Sequence, residues 1–135
     1  MNRLLLCLSM PALIVALSAC QPDPNSPRGV AERFLDAHYV RMDLQAAKDY
    51  CTGLALKRVE DEIRLTEGQA IDANTRLPRV YYSLVKETPR GDTSVSFQYQ
   101  ARITVAGGGE FQKELLLSLR KGQDGWRVMN YSEFD

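Results

Sequence analysis

The sequence is poor in the residues that build metal centres and disulfide-stabilised folds. It has three cysteines and one histidine, His38, in 135 residues. The cysteines are not closely paired and one histidine cannot supply the missing ligands, so the sequence has no metal-ligand spacing and a usual zinc centre is excluded. Cys7 lies in an apolar leader and Cys20 directly follows it as the candidate for a modification described below, which leaves Cys51 without an intramolecular disulfide partner. In its helical context, Cys51 is read as a small buried hydrophobe in preference to a reactive thiol.

An excess of charge of one sign is also missing. The chain has 17 basic and 17 acidic side chains and no run of like charge. Nucleic-acid binding depends on a basic surface, so this balance argues against a nucleic-acid partner. There is no nucleophile-elbow motif, and the glycines at 107–109 lie between two predicted strands instead of opening a helix that could cradle phosphate. The sequence therefore indicates no catalytic set, no metal and no cofactor.

The first twenty residues have the pattern of an export leader. Arg3 precedes an apolar run from Leu4 to Leu17, which is shorter than the roughly 20 residues that a membrane-spanning helix needs. The stretch Leu17-Ser18-Ala19-Cys20 resembles the lipobox of bacterial lipoproteins. In that family the cysteine thiol is diacylated, the peptide before it is removed, and the new amino terminus is usually acylated. A plain secretory signal and an uncleaved membrane anchor are the alternatives.

The lipobox resemblance implies an anchor at Cys20 and a domain facing the periplasm. Two or three acyl chains hold a protein on a membrane stably, whereas one chain does not. An aspartate after the cysteine tends to retain lipoproteins in the inner membrane, and Gln21 at this position favours the outer membrane. Removing nineteen of the 135 residues leaves 116, enough for one domain with one core. We expect a signal peptide over 1–19, the lipidated cysteine and a flexible spacer over 20–27, and a single domain over 28–135.

Helical periodicity dominates the first half of this domain. Ser26 followed by Pro27 is a helix-start signal, because serine can accept from a free backbone N–H and proline has none to satisfy. The predicted helices run from about Pro27 to Met42, from Leu44 to about Cys51, and from about Leu54 to Leu65. His38 lies on the apolar stripe of the first. The stretch 67–78 has no clear period and predicts a loop with one helical turn around 70–73.

From Arg79 onward the apolar period is two, which predicts strands. The clearest strand alternates between core and solvent from Val95 to Val105, and its hairpin partner continues the buried face with Phe111, Leu115, Leu117 and Leu119. Turns are predicted at 89–92 and 121–125. The last strand, Trp126 to about Phe134, carries Trp126 and Val128 on one side and Met129 and Tyr131 on the other.

Three helices followed by about four antiparallel strands predict an α+β fold in which the helices cover one face of the sheet. The segment Pro27–Ala47, PRGVAERFLDAHYVRMDLQAA, resembles the opening of small nuclear-transport-factor-2-like domains, and Asp124–Val128, DGWRV, is similar to their final strand. The resemblance implies a curved sheet wrapped around the helices into a cone with a pocket. It also implies dimerisation through the outer face of the sheet.

That family includes isomerases and dehydratases with a carboxylate or histidine inside the cone, beside proteins that only bind. The core-facing positions of the clearest strand carry no Asp, Glu or His. His38 is the one candidate base, and the alternative is a part-buried histidine bonded to a tyrosine or a backbone carbonyl. Candidate pocket-lining residues are His38, Tyr82, Tyr99 and Trp126, although such aromatic residues are more often simply core.

These observations predict an envelope lipoprotein that is a non-enzymatic ligand-binding or protein-interaction module. Two alternatives stay open: a small cone-fold enzyme of isomerase or dehydratase type that uses His38, and a scaffold subunit of an envelope complex. The candidate surface for an envelope partner or a homodimer is the polar sheet face that carries Ser96, Gln98, Gln100 and Arg102.

Overall fold

The computed structural model describes residues 20–69 and 76–135. Its helices are α1 (Pro27–Leu35), a π-helical segment (Asp36–Val40) that continues α1, α2 (Leu44–Lys48) and α3 (Gly53–Leu65). Its strands are β1 (Arg79–Arg90), β2 (Ser94–Val105), β3 (Gly109–Gly122) and β4 (Gly125–Phe134). The strands form one antiparallel sheet in the order β1-β2-β3-β4, and the helices pack against its concave face, which confirms the predicted α+β fold. The predicted leader and the helical turn at 70–73 lie outside the described residues.

Hydrogen bonds fix the start of α1. The Ser26 hydroxyl accepts from the backbone N–H of Gly29 at 3.0 Å and donates to the carbonyl oxygen of Asp23 at 2.6 Å. The Asp23 carboxylate accepts from the backbone N–H of Asn25 at 2.8 Å. A methyl group added at Gly29 would collide with the Asp23 carbonyl group. The segment 23–26 is therefore a turn packed against the helix, and two residues, 21–22, separate it from Cys20 of the lipobox.

The first helix changes from α-helical to π-helical hydrogen bonding before it ends. The backbone N–H of Arg41 donates to the carbonyl oxygen of Asp36 at 2.8 Å, the five-residue spacing of a π-helix. Met42 then has a φ of 51° and is exposed. The prediction of a regular, inward-facing helix up to Met42 is wrong there, because the chain reverses at Met42 so that Asp43 can cap α2 by accepting from the N–H of Ala46 at 3.0 Å.

The core lies between the helices and the inner face of the sheet. Its largest fully buried side chains are Phe34, Leu35, Val59, Phe97, Tyr99, Leu115, Leu117, Leu119 and Val128. The alternation predicted for β2 holds from Val95 to Ala101. Beyond that point the β2–β3 hairpin extends past the helices, so Val105 and Phe111 are exposed, although both were expected on the buried face.

Two register shifts were not predicted. In β4, Met129 is an extra residue between the pairs Leu119–Val128 and Ser118–Asn130. Val128 and Tyr131 therefore both face the core, and the prediction that they lie on opposite sides is wrong. In β1, Val85 is the extra residue between the pairs made by Leu84 and Lys86. β1 runs to Arg90, β3 to Gly122, and β4 begins at Gly125, so the strands extend into the predicted turns. The turns themselves occupy 91–93 and 123–124.

The helices are oriented along the sheet so that the domain has two distinct ends. The Tyr82 hydroxyl, near the start of β1, donates to Asp36 at 2.8 Å, so the C-terminal part of α1 lies beside the beginning of β1. The N–H of Thr52, just before α3, donates to the carbonyl oxygen of Val128 at 2.8 Å, early in β4. We call the end with the β1–β2 and β3–β4 turns and the start of α3 the turn end, and the start of α1 is directed toward it. The far end holds the π-helical segment, the C-terminus of α3 and the beginning of β1.

Candidate functional site

A cavity of about 900 Å³ opens at the far end of the domain. Its walls come from the π-helical segment, the α2 start, the α3 C-terminus and the residues before β1. Apolar side chains make most of the wall: Met42, Leu44, Ile63, Leu65, Leu77 and Pro78. Its charged and ionisable side chains among the described residues are His38, Asp43, Glu62, Glu67 and Arg76. Such a mixture is typical of pockets for small molecules, in which a few polar groups orient an apolar ligand.

His38 and Glu62 meet in this wall. His38 Nε2 lies 2.6 Å from Glu62 Oε2, and the two side chains are 11% and 34% exposed. A carboxylate has no hydrogen to give, so Nε2 is the donor. The partner expected for His38 was a tyrosine or a backbone carbonyl, and the structure shows a carboxylate from α3.

Glu62 also binds the sheet. The Tyr131 hydroxyl on β4 donates to Glu62 Oε1 at 2.6 Å, so each carboxylate oxygen has one donor from the protein. The Arg58 guanidinium, one turn earlier on α3, lies 4.2 Å from the centre of the Tyr131 ring and donates to the backbone carbonyl of Tyr131. These contacts join the π-helical segment, α3 and β4 through one carboxylate.

The second ring nitrogen of His38 is enclosed. Nδ1 is buried and has no hydrogen-bond partner within the described residues. Phe34 stacks on the imidazole at a centroid distance of 5.3 Å, and the Tyr39 and Tyr131 rings lie at 4.4 Å and 5.1 Å. Because Nε2 is engaged by Glu62 and Nδ1 is covered, neither nitrogen is free toward the cavity. The partly exposed Glu62 carboxylate is a polar group that a ligand in the cavity would meet.

Burial sets the electrostatics of the neighbouring tyrosines. Burial, together with the hydrogen bond donated to Glu62, raises the pKa of Tyr131 above its ordinary value. Burial also raises the pKa of Tyr39, and the negative charges of Glu133 and Glu62 add to that effect. Both hydroxyls therefore stay protonated near neutral pH, and the hydroxyl of Tyr131 donates to Glu62.

Tyr82 and Tyr99 do not line this cavity. The Tyr82 hydroxyl, which binds Asp36, also lies 3.2 Å from the carbonyl oxygen of Glu32, and the fully buried Tyr99 has its hydroxyl 3.5 Å from Glu32 Oε1. Their rings meet edge to face at 5.7 Å. Burial raises the pKa of both phenols. This cluster attaches α1 to the sheet.

The remaining candidates lie elsewhere. Trp126 pairs with Lys121 beside the β3–β4 turn, at the turn end and away from the cavity. Cys20 is exposed. Cys51 is buried, its thiol donates to the carbonyl oxygen of Ala47 at 3.3 Å, and burial raises its pKa to about 12. A thiol with such a pKa holds little thiolate near neutral pH, which fits the interpretation as a buried hydrophobe.

Sequence reasoning singled out His38 and missed Glu62 and Arg58. A signal for Glu62 exists, because Ala55, Val59 and position 62 share the buried stripe of α3 at spacings of four and three. A carboxylate on such a stripe needs partners. Nothing in the sequence indicates that Tyr131, on another element, supplies one.

Within residues 20–69 and 76–135, no three side chains of His, Cys, Asp or Glu come together in a way that could hold a metal ion. No helix in these two ranges is long and apolar enough to span a bilayer. The polar side chains expected on the outer sheet face, Ser96, Gln98, Gln100 and Arg102, lie on β2 opposite the core-facing set.

Comparison with solved structures identifies the fold. The chain is similar to an NTF-2-like protein of unknown function from Shewanella oneidensis, with a TM-score of 0.59, 9% identity, and coverage of 78% of this chain and 93% of that one. It is also similar to a ketosteroid isomerase-like protein from Erwinia carotovora atroseptica, with a TM-score of 0.58, 16% identity, and coverage of 84% and 96%.

A third similar structure is described as a calcium/calmodulin-dependent protein kinase type II association domain from Thiobacillus denitrificans. It gives a TM-score of 0.61 at 13% identity and coverage of 84% of this chain and 97% of that one. No protein-family model and no curated protein matches the sequence. The domain therefore has the nuclear-transport-factor-2-like fold, as the sequence resemblance implied, and identities this low carry the fold alone.

Proposed function

We propose that this chain is an envelope lipoprotein, anchored through acylated Cys20, whose domain binds a small ligand in the cavity at its far end. The observation that supports ligand binding is the cavity of about 900 Å³ with apolar walls and the Glu62 carboxylate at its edge. An apolar body with one hydrogen-bond donor or positive charge matches that lining. The lipobox supports the anchor and the envelope location.

The role of His38 in this proposal is to position Glu62. Its Nε2 and the Tyr131 hydroxyl hold the two carboxylate oxygens in one orientation. A preorganised carboxylate binds a donor without first losing side-chain freedom. The ligand then adds a third donor to the carboxylate and fills the apolar volume.

Native mass spectrometry of the acylated full chain, purified in detergent from a bacterial membrane fraction, tests this proposal. We expect an added mass equal to the acyl groups at Cys20 and a second, non-covalent mass from the retained ligand. Glu62→Gln removes the negative charge that receives the ligand donor, and ligand occupancy should fall about tenfold or more. Glu60→Gln, two residues away on α3 and half exposed beside Lys48, is the matched control.

Three outcomes count against the proposal. An unmodified Cys20 would exclude the lipid anchor. A cavity that is empty in every preparation, or equal ligand occupancy in the Glu62→Gln and Glu60→Gln variants, would exclude the binding site.

Proton transfer on the bound ligand is a second candidate, favoured by the 34% exposure of the Glu62 side chain at the cavity. A carboxylate next to an apolar pocket can act as a general base. Ligand recovered from the protein would be incubated with fresh protein in heavy water. Deuterium uptake with the unmodified protein but not with Glu62→Gln would support catalysis, whereas no uptake would leave binding alone.

A further inference from the structure

The turn end carries a cluster of basic side chains that the cavity does not use. We call Arg90, Asp92, Arg120, Lys121, Asp124 and Arg127 the turn-end surface; all six flank or lie within the two turns. Four are cations and two are acids, and none belongs to an ion pair within the part of the chain that the structure describes. A chain without net charge thus has a local positive excess at one end.

Arg120 and Arg127 are the centre of this surface. They are directly paired across β3 and β4, a placement in which like charges repel. Both line a groove of about 330 Å³ together with Thr52, Gln123 and Asp124. Arg127 also donates to the carbonyl oxygen of Trp126 at 3.0 Å. The groove thus holds two guanidinium groups and one carboxylate, that of Asp124. Two arginines in this arrangement suit one anionic group, such as a phosphate, that accepts hydrogen bonds from both.

The surface is also firmly built. The backbone N–H of Lys121 donates to the carbonyl oxygen of Thr93 at 2.8 Å, which connects the two turns. The N–H of Thr52 and the N–H and carbonyl of Val128 attach the start of α3 to the adjoining β4. The backbone that carries Arg120 and Arg127 is therefore held in place by hydrogen bonds on β3 and β4.

The position of the anchor brings this surface to a membrane. The start of α1 is directed toward the turn end, and the ordered turn at 23–26 leaves two residues, 21–22, between it and Cys20. The three Cα–Cα steps from Cys20 to Asp23 span at most about 11 Å. An acylated Cys20 would therefore hold the turn end close to the bilayer, while the cavity opens toward the far end, beside the C-terminus of α3 and the residues before β1.

We propose that the turn-end surface lies against the bilayer and that Arg120 and Arg127 bind the phosphate of anionic phospholipids. This inference rests on the lipid anchor of the proposed function. It fixes the orientation of the domain: the Glu62 cavity opens away from the membrane, where a ligand arrives from the aqueous compartment. Guanidinium groups suit this partner because they bind phosphate with two parallel hydrogen bonds.

Trp126 is the only tryptophan in the chain and lies beside the β3–β4 turn, so it reports on the turn end. The acylated full chain would be inserted into phosphatidylcholine vesicles with and without phosphatidylglycerol, each containing a dansyl-labelled headgroup. Energy transfer from Trp126 is compared with transfer in a Trp126→Phe, Phe111→Trp double variant. Phe111 is exposed and about 35 Å away along β3.

We expect energy transfer from Trp126 to the dansyl group to be roughly threefold or more above that of the double variant. The transfer should be larger with phosphatidylglycerol, because basic side chains near an anionic surface are attracted to it. The Arg120→Glu, Arg127→Glu variant should lose the effect of phosphatidylglycerol. Arg102→Glu is the control, since it makes the same kind of change at the far end of β2.

Equal transfer from the two tryptophan positions would overturn the orientation. An unchanged phosphatidylglycerol effect in the Arg120→Glu, Arg127→Glu variant, or an equal loss in Arg102→Glu, would overturn the phosphate site. The mass of the purified protein separates these results from failure of the anchor, because it shows acylation of Cys20 before any vesicle is used.

Discussion

The carboxylate of Glu62 shows how one side chain determines the site. It accepts from His38 and Tyr131, which come from the first helical region and from the last strand. Hydrogen bonds to a charged acceptor are shorter and stronger than those between neutral groups, and both of these are 2.6 Å long. The same carboxylate therefore holds α3 to the sheet and faces the cavity.

We predict that Tyr131→Phe destabilises the protein by about 1 kcal/mol, because it removes one donor to Glu62 without changing the buried ring. Thermal unfolding of the two proteins under identical conditions measures the change. Tyr81→Phe is the matched control, since Tyr81 is 56% exposed on the outer side of β1. This control should stay within about 0.5 kcal/mol of the unmodified protein. Equal losses in the two variants would contradict a structural role for the bond to Glu62.

At the scale of the element, the start of α1 carries the sharpest steric constraint. Alanine is normally about 1 kcal/mol better than glycine inside a helix. At Gly29 the added methyl would meet the Asp23 carbonyl oxygen and lie 3.0 Å from Pro24 Cα. All these contacts are backbone atoms of the turn at 23–26, so no flexible side chain could move aside.

We therefore predict that Gly29→Ala destabilises the protein, by about 1 to 3 kcal/mol, through overpacking. Thermal unfolding is again the measurement, and amide exchange at 23–26 should rise as the turn is displaced. Gly122→Ala is the control, because a methyl there meets nothing within 4 Å. A stabilised Gly29→Ala variant would show that the turn at 23–26 is not packed on the helix.

Sequence periodicity predicted the helices and strands but not the irregularities between them. In β2 the alternation from Val95 to Ala101 has one apolar and one polar face, so the strand and its buried side follow directly. An extra residue at Met129 or Val85 leaves no mark in composition, because it depends on how neighbouring strands twist. The π-helical turns after α1 likewise depend on tertiary packing.

The same division holds for the site. His38 was found because it interrupts an apolar helical stripe, and its presence at the cavity follows from that stripe. Tyr82 and Tyr99 were expected in the pocket but lie on the other side of α1, since residues on one sheet face can still meet different parts of a helix. Pairing between Glu62 and Tyr131 joins residues 69 positions apart, which periodicity cannot show.

At the scale of the whole molecule, buried phenols link stability to alkaline pH. Burial raises the pKa of Tyr39, Tyr82, Tyr99 and Tyr131 above the ordinary value near 10. Because the folded pKa values are the higher ones, the stabilisation is complete below that ordinary value and is lost as the pH rises above it.

We predict that four of the six tyrosines ionise only together with unfolding. Tyrosinate absorbance and circular dichroism would be followed across the alkaline range on one sample. The late part of the absorbance change should coincide with the loss of secondary structure. Gradual ionisation of all six near pH 10 in a protein that stays folded would contradict the burial of these phenols.

The extra residue in β1 bears on how the protein behaves when it is crowded. Within the described part of the chain, β1 pairs only with β2, so its other edge is open. Val85 bulges there, with Lys86 next to it and Pro89 near the strand's end. Bulges, lysines and prolines stop an edge from recruiting another strand. The proposed anchor would confine copies to a two-dimensional surface, where encounters between them multiply, and this irregular edge would keep them from joining into an extended sheet.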